Sequence, residues 1–202
     1  MTDGPSSMRG RILDAAFSAF MRSGYDGAST AEIARLAHVS KRDLYANFPG
    51  KQAMLAACVM ERAEQMRGAL GLPVPADRAA LRAILLEYGT TLVRELARPE
   101  VLATYRLAIE NVETAPDVGQ TLDRFGRAES TSRLTALLRA VRDAGLLGGA
   151  EPEEMAAVFQ GVLASGGLLI RLLMRVAEAP SEAEARARAE LAVRCVERLY
   201  GG

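Results

Sequence analysis

Tryptophan is absent from the 202-residue sequence, histidine occurs once, cysteine twice, and aromatic residues make up only 5% of the chain. One histidine and two distant cysteines leave nothing with which to build a Cys/His metal cluster. No Glu-x-x-His pair or phosphate-cradling glycine loop stands in for one. No cofactor is expected, and the chain does not read as an enzyme. Cys58 and Cys195 lie in apolar helical contexts and read as reduced packing thiols rather than a disulfide or a redox switch. An excess of positive charge is missing too, since 25 Lys and Arg balance 25 Asp and Glu. A protein that coats nucleic acid indiscriminately needs such an excess. Residues 9 to 24 mix Arg and Asp into an amphipathic pattern, so no signal peptide is expected. The longest apolar run, VLASGGLLI, is too short to span a bilayer and is followed by Arg171. These readings place the chain in the cytoplasm, away from membranes.

What the sequence has in quantity is helix formers. Half of its residues are hydrophobic, and Ala, Leu, Arg and Glu dominate, which predicts an all-α protein. Pro49, the Pro73/Pro75 pair, Pro99, Pro116, Pro152 and Pro180 mark the breaks, because a proline is tolerated in a helix's first turn and not in its interior. Nine helices are predicted, over 7–23, 30–37, 41–47, 51–70, 77–97, 100–113, 117–144, 153–177 and 181–200. The seventh is open to a break near Gly119 or Gly126. Residues 1 to 6 read as a loose tail. In the fourth helix Leu55, Val59 and Met66 are expected to point into the body.

The last two predicted helices carry the clearest periodic seams. Phe159, Val162, Gly166, Leu169 and Leu173 step by four and three, as do Ala189, Val196 and Leu199 after their own fashion on the last helix. These residues are the candidate homodimer interface. Gly161, Ser165 and the Gly166–Gly167 pair are expected to let another backbone approach closely.

The most informative stretch is residues 29 to 51, STAEIARLAHVSKRDLYANFPGK, which reads as two short helices joined by a tight turn. Ser29 and Glu32 form a capping-box pattern, and Ser40 with Asp43 repeats the cap on the second helix. Ile33, Leu36, Leu44 and Phe48 are the expected anchors, Ala34 permits a close helix crossing, and Val39 plugs the turn. Lys41, Arg42 and Tyr45 remain on one outward side near the N-terminus of the second helix, the end that a helix-turn-helix aims at base edges. The only two lysines in the chain, Lys41 and Lys51, flank that helix.

Together with ILDAAFSAFMRSGYDGAST before it and NFPGKQAML after it, this syntax resembles the N-terminal domain of the TetR family of transcriptional regulators, over residues 8 to 55. YRLAIENV and GVLASGG are loosely similar to the family's AefR-like branch. The resemblance implies a DNA-binding domain over 1–50 and a helical ligand-binding and dimerisation domain over 51–202. It also implies that Thr30, Tyr45, Asn47 and Lys51 contact phosphate while Lys41 and Arg42 read bases. His38 stands where the family commonly has a turn glycine, Ala31 cannot hydrogen-bond a base, and Ala46 offers at most a methyl contact. An effector pocket in the body is implied, with Tyr88, Tyr105, Arg106, Glu110, Phe125, Phe159 and Gln160 as candidate lining.

The partners so expected are double-stranded operator DNA, a second copy of the chain, and a small-molecule effector of unspecified identity. The function is that of a ligand-responsive repressor on a palindromic operator. The alternative is a helical dimerisation or adaptor protein whose reader motif has lost DNA affinity, with Ala31 and Asp43 as the residues that favour it.

Overall fold

The computed structural model describes residues 7–65, 74–110, 112–113 and 116–201, and at 59 and 62–65 the backbone alone. Among the described residues every regular element is helical. In chain order these are α1 (Met8–Gly27), α2 (Thr30–Leu36), α3 (Lys41–Asn47), α4 (Lys51–Gln65), α5 (Arg78–Leu96) and α6 (Pro99–Glu110). Then come α7 (Pro116–Leu122), a π-helical turn (Asp123–Ala128), α8 (Glu129–Asp143), α9 (Pro152–Leu163), a 3-10 turn (Ser165–Gly167), α10 (Leu168–Leu173) and α11 (Glu182–Tyr200). The expected tail at 1–6, the end of the fourth helix at 66–70 with Met66, Pro73, and the side chain of Val59 lie outside the described residues.

Proline and glycine explain most boundaries. Pro99, Pro116 and Pro152 each open a helix, where a missing N–H costs nothing. Two predicted helices are each divided. The seventh changes to π-helix around Gly126, one of the two glycines where a break was expected. The eighth was predicted as one helix and is not, because Gly166 and Gly167 take φ of 70° and 67°, a conformation that a right-handed helix cannot contain. Gly24 behaves differently from expectation as well. At φ 72° and ψ 173° it kinks α1 instead of ending it, and the helix resumes to Gly27.

The chain divides into two compact units. The first, Met1–Arg62 with Ala103–Arg127, takes in more of the chain than the DNA-binding segment expected at 1–50. Its core joins Ile12, Ala16 and Phe20 of α1 to Ile33, Leu44 and Met54, all but inaccessible to solvent. This is the apolar face that helical spacing predicted for α1. A helix of seven residues such as α3 is marginal alone. Burial of Leu44, at about 1.5–3 kcal/mol for such a side chain, is part of what holds it.

The second unit comprises Ala63–Leu102 and Ala128–Gly202. Here α11 packs on α5 and α9, and α8 packs on α9. Ala185, Ala189 and Ala192 are fully buried, and their small side chains let the neighbouring helices come close. The closest approach is at Gly89 of α5, where a Cβ would lie 3.0 Å from Ala189 Cβ and 3.1 Å from Phe159 Cζ. Gly161 and Gly166 have nothing within 4 Å of that position, so the close approach expected there occurs within the chain at another glycine. The segment Pro152–Leu173 is apolar enough by length and composition to cross a membrane, more so than the run VLASGGLLI taken alone. Met155, Ala156, Phe159 and Leu163 use that apolarity to build the core of this unit.

Candidate nucleic-acid interface

The reader motif is assembled from its caps inward. Ser29 Oγ accepts from Glu32 N–H at 3.1 Å. The reciprocal half of the expected capping box is not made, because the Glu32 carboxylate pairs with Arg22 of α1. Ser40 Oγ accepts from Asp43 N–H at 3.0 Å and donates to Asp43 Oδ2 at 2.6 Å. Asp43 is thereby engaged as a capping residue. His38 takes φ 55°, the left-handed turn conformation that its position required and that histidine tolerates better than most residues. Val39 N–H donates to Ala34 O at 3.0 Å and its side chain packs on the core of the unit.

On this support Lys41, Arg42 and Tyr45 stand outward, Tyr45 with half its surface (51%) exposed. Thr30 Oγ1 and Tyr45 Oη lie 3.0 Å apart, so two residues fifteen positions apart in sequence present their hydroxyls at one point. Asn47 and Lys51 are placed otherwise. Asn47 Nδ2 donates to Asp43 O at 2.9 Å, closing the last turn of α3. Lys51 Nζ donates to Tyr25 O at 2.7 Å and lies 4.8 Å from the centre of the Tyr25 ring. It holds the end of α1, where carbonyls lack helical partners. Burial, and secondarily Asp117 and Asp26, raise the Tyr25 phenol above its ordinary value.

Sequence reasoning missed two members of this arrangement. Arg9 lies over the Phe48 ring at 4.4 Å, and Arg22 is the residue that takes Glu32. Both pairings join α1 to segments far along the chain, and no local spacing announces them.

A positive, hydrogen-bond-capable helix face on a buried two-helix support is a shape for reading duplex DNA, and the comparisons agree with it. Residues 12–58 match the bacterial regulatory proteins of the tetR family. Residues 83–202 match the AefR-like transcriptional repressor C-terminal domain.

The chain belongs to the TetR family of transcriptional regulators.

A solved TetR transcriptional regulator from Agrobacterium tumefaciens is 30% identical, with a TM-score of 0.77 over 96% of this chain and 95% of that one. A TetR-family regulator from Mesorhizobium loti, 24% identical, shares the fold with a TM-score of 0.81 over 99% of this chain and 100% of that one. The HTH-type transcriptional regulator YvkB of Bacillus subtilis is 36% identical over 86 residues, and the match spans 43% of its length.

In this TetR regulator the candidate pocket residues separate into two groups. Tyr88, Phe159 and Gln160 belong to the second unit. There Tyr88 Oη and Ser130 Oγ are 2.6 Å apart, Thr131 Oγ1 donates to Gln160 Oε1 at 3.2 Å, and Tyr88 stacks on Phe159 at 6.1 Å. Burial raises the Tyr88 phenol above its ordinary value, and hydrogen bonds with Ser130 and Gln160 oppose the shift. Tyr105, Arg106, Glu110 and Phe125 belong to the first unit. Tyr105 is raised in the same direction, by burial first and by Asp123 second. Phe125 packs on the core of that unit, under the Arg124 guanidinium.

The candidate dimer seam is corrected by burial. Phe159, Ala189 and Val196 are 0%, 0% and 1% exposed within a single chain, so no partner can touch them. Their spacing reports the core of the second unit, because α11 turns its alanine stripe inward against α5 and α9. Val162, Leu169 and Leu173 are half-buried, Gly166 is exposed, and Leu199 is mostly exposed. Ile170, Met174 and Val176 add to this outward apolar set, each more than half exposed.

Proposed function

We propose that this TetR-family regulator works in the cytoplasm as a homodimer on a palindromic operator, as a repressor that a small-molecule effector releases. The observation that carries the DNA-binding part is the outward set Lys41, Arg42 and Tyr45 on a fully supported α3. Arg42 is the residue proposed to meet guanine in a bidentate contact, Lys41 reads beside it, and Thr30 with Tyr45 grips one phosphate from two helices. Asn47 and Lys51 reach phosphate by exchanging an internal carbonyl acceptor for it. Because Asp43 is occupied with Ser40, it does not repel the backbone of the duplex as a free carboxylate at the surface would. That disfavours the adaptor reading.

Dimerisation is supported by Ile170, Met174, Val176 and Leu199, which leave a single chain with uncovered apolar surface of the kind that marks interaction sites. One short recognition helix carries little specificity, whereas two on a twofold assembly read half-sites about 34 Å or a multiple apart. Effector response is supported by the polar and aromatic cluster around Tyr88, Ser130 and Gln160. A preference for one reader separation worth about 1–3 kcal/mol makes a useful switch. The test is a mobility shift on the DNA upstream of its own gene, at moderate salt with competitor DNA. A discrete specific complex is expected, and its absence overturns the reading.

A further inference from the structure

The second unit contains a cavity of about 170 Å³ between α5, α11 and the loop after α8, away from Tyr88, Phe159 and Gln160. Its floor is Leu81, Leu85, Leu147, Val193 and Val196, all buried members of the core. Its rim is charged, with Arg78 and Arg82 of α5 facing Glu197 of α11. Arg82 Nη1 donates to Glu197 Oε2 at 2.5 Å, and both side chains are 41% exposed. The walls are tied in place, since Gly148 N–H donates to Tyr200 O at 2.8 Å and Tyr200 Oη donates to Glu154 at 3.0 Å.

We infer that this cavity is a binding site for a small apolar monocarboxylate, with a body of about six carbons on the leucine and valine floor and its carboxylate at the two guanidiniums.

Three observations select that chemistry. Size comes first: drug-sized ligands need about 300–1,000 Å³, whereas an apolar cavity of about 150 Å³ accommodates benzene. The floor offers no polar partner, so it takes carbon and rejects a sugar or a nucleotide. At the rim two cations face one carboxylate. An entering cation would meet both guanidiniums, while an entering carboxylate finds unused donors, because Arg82 gives Glu197 a single N–H of its five. Glu197 therefore acts as a resident competitor for Arg82, occupying the position that the ligand's carboxylate takes. The 19-residue α5 also begins at this rim, with Arg78 as its first residue, and the positive end of its dipole favours an anion there.

The inference stands apart from operator binding and is tested on the full chain without DNA. Benzoate is titrated by calorimetry and by amide chemical-shift mapping, with acetate, benzylamine and benzyl alcohol as comparison probes. Saturable benzoate binding is expected, about tenfold or more tighter than acetate because of the buried ring, with shifts confined to α5, α11 and residues 146–149. Benzylamine should fail to bind and benzyl alcohol should bind more weakly than benzoate. R82Q is expected to weaken benzoate about tenfold. E197Q, which removes the competitor, is expected to tighten it several-fold. Acetate equal to benzoate reduces the site to surface charge and overturns the inference, as does the absence of saturation. E197Q weakening benzoate as R82Q does would make the ion pair a structural clasp, which also overturns it. Should R82Q lose its helical circular dichroism, E197Q and the comparison probes still decide the matter.

Discussion

At the scale of single residues, the reader motif is a set of short side chains that each satisfy one backbone group so that three long ones are left outside. Ser40 is the smallest lever on it. Ser40→Ala removes the acceptor of Asp43 N–H and is expected to cost about 0.5–2 kcal/mol in thermal or denaturant melts. Arg42→Ala touches no internal partner, and the proposed guanine contact makes it lose about 5- to 150-fold in operator affinity by mobility shift, with melting unchanged. Tyr88 supplies a pH test. Burial raises its phenol above the ordinary value of 10.0, so above that pH the folded chain keeps a proton that the unfolded chain releases. Its contribution to stability is complete below pH 10.0 and is lost as pH climbs towards the folded value. Tyr88→Phe is therefore expected to cost about 1 kcal/mol at neutral pH through the lost Ser130 bond. In urea melts taken across pH 10, the variant should decline less steeply than the parent.

At the scale of elements, glycines do two opposite things. At Gly166 and Gly167 they break what the hydrophobic pattern presents as one long helix, and Arg188 of α11 covers the break by donating to Ser165 O at 2.9 Å. At Gly89 the helix is regular, and the glycine is there because Ala189, Phe159 and Leu163 leave no room for a Cβ. Gly89→Ala gains about 1 kcal/mol of helix propensity and loses more to overpacking, at about 1–3 kcal/mol. Net destabilisation in urea melts is the expected result, and a stabilised variant would show that α5 and α11 have slack to yield. The sequence marks both kinds of glycine with the same letter. Only the first kind is readable from its neighbours, and then only when, as at Gly126, an adjacent stretch already loses its period.

At the scale of the whole molecule, the apolar residues sort into those that one chain covers and those that it does not. Phe159 and Val196 are the first kind, Ile170 and Met174 the second. Replacing Ile170 and Met174 together by Asp is expected to give a folded monomer in sedimentation velocity with weakened operator binding. Phe159→Leu should instead lower the melting point and leave the sedimentation coefficient of the folded protein unchanged. If the Asp pair leaves a dimer intact, the proposed interface lies elsewhere on the chain.

The fold class, the caps of α2 and α3, the anchors Ile33, Leu44 and Phe48, and the outward Lys41, Arg42 and Tyr45 were all determined by the sequence itself. Each depends on neighbours within a few positions, where residue type and helical period decide the outcome. Burial by distant segments was decided by the tertiary structure alone. The stripe Ala185, Ala189, Ala192 and Val196 has the same period whether it faces a partner or its own core, and packing of α5 and α9 against it settled which. Lys51 illustrates the same limit in one side chain. Its charge and position are local properties, but whether its ammonium finds a carbonyl of α1 depends on where twenty-five residues of intervening chain have placed that helix end.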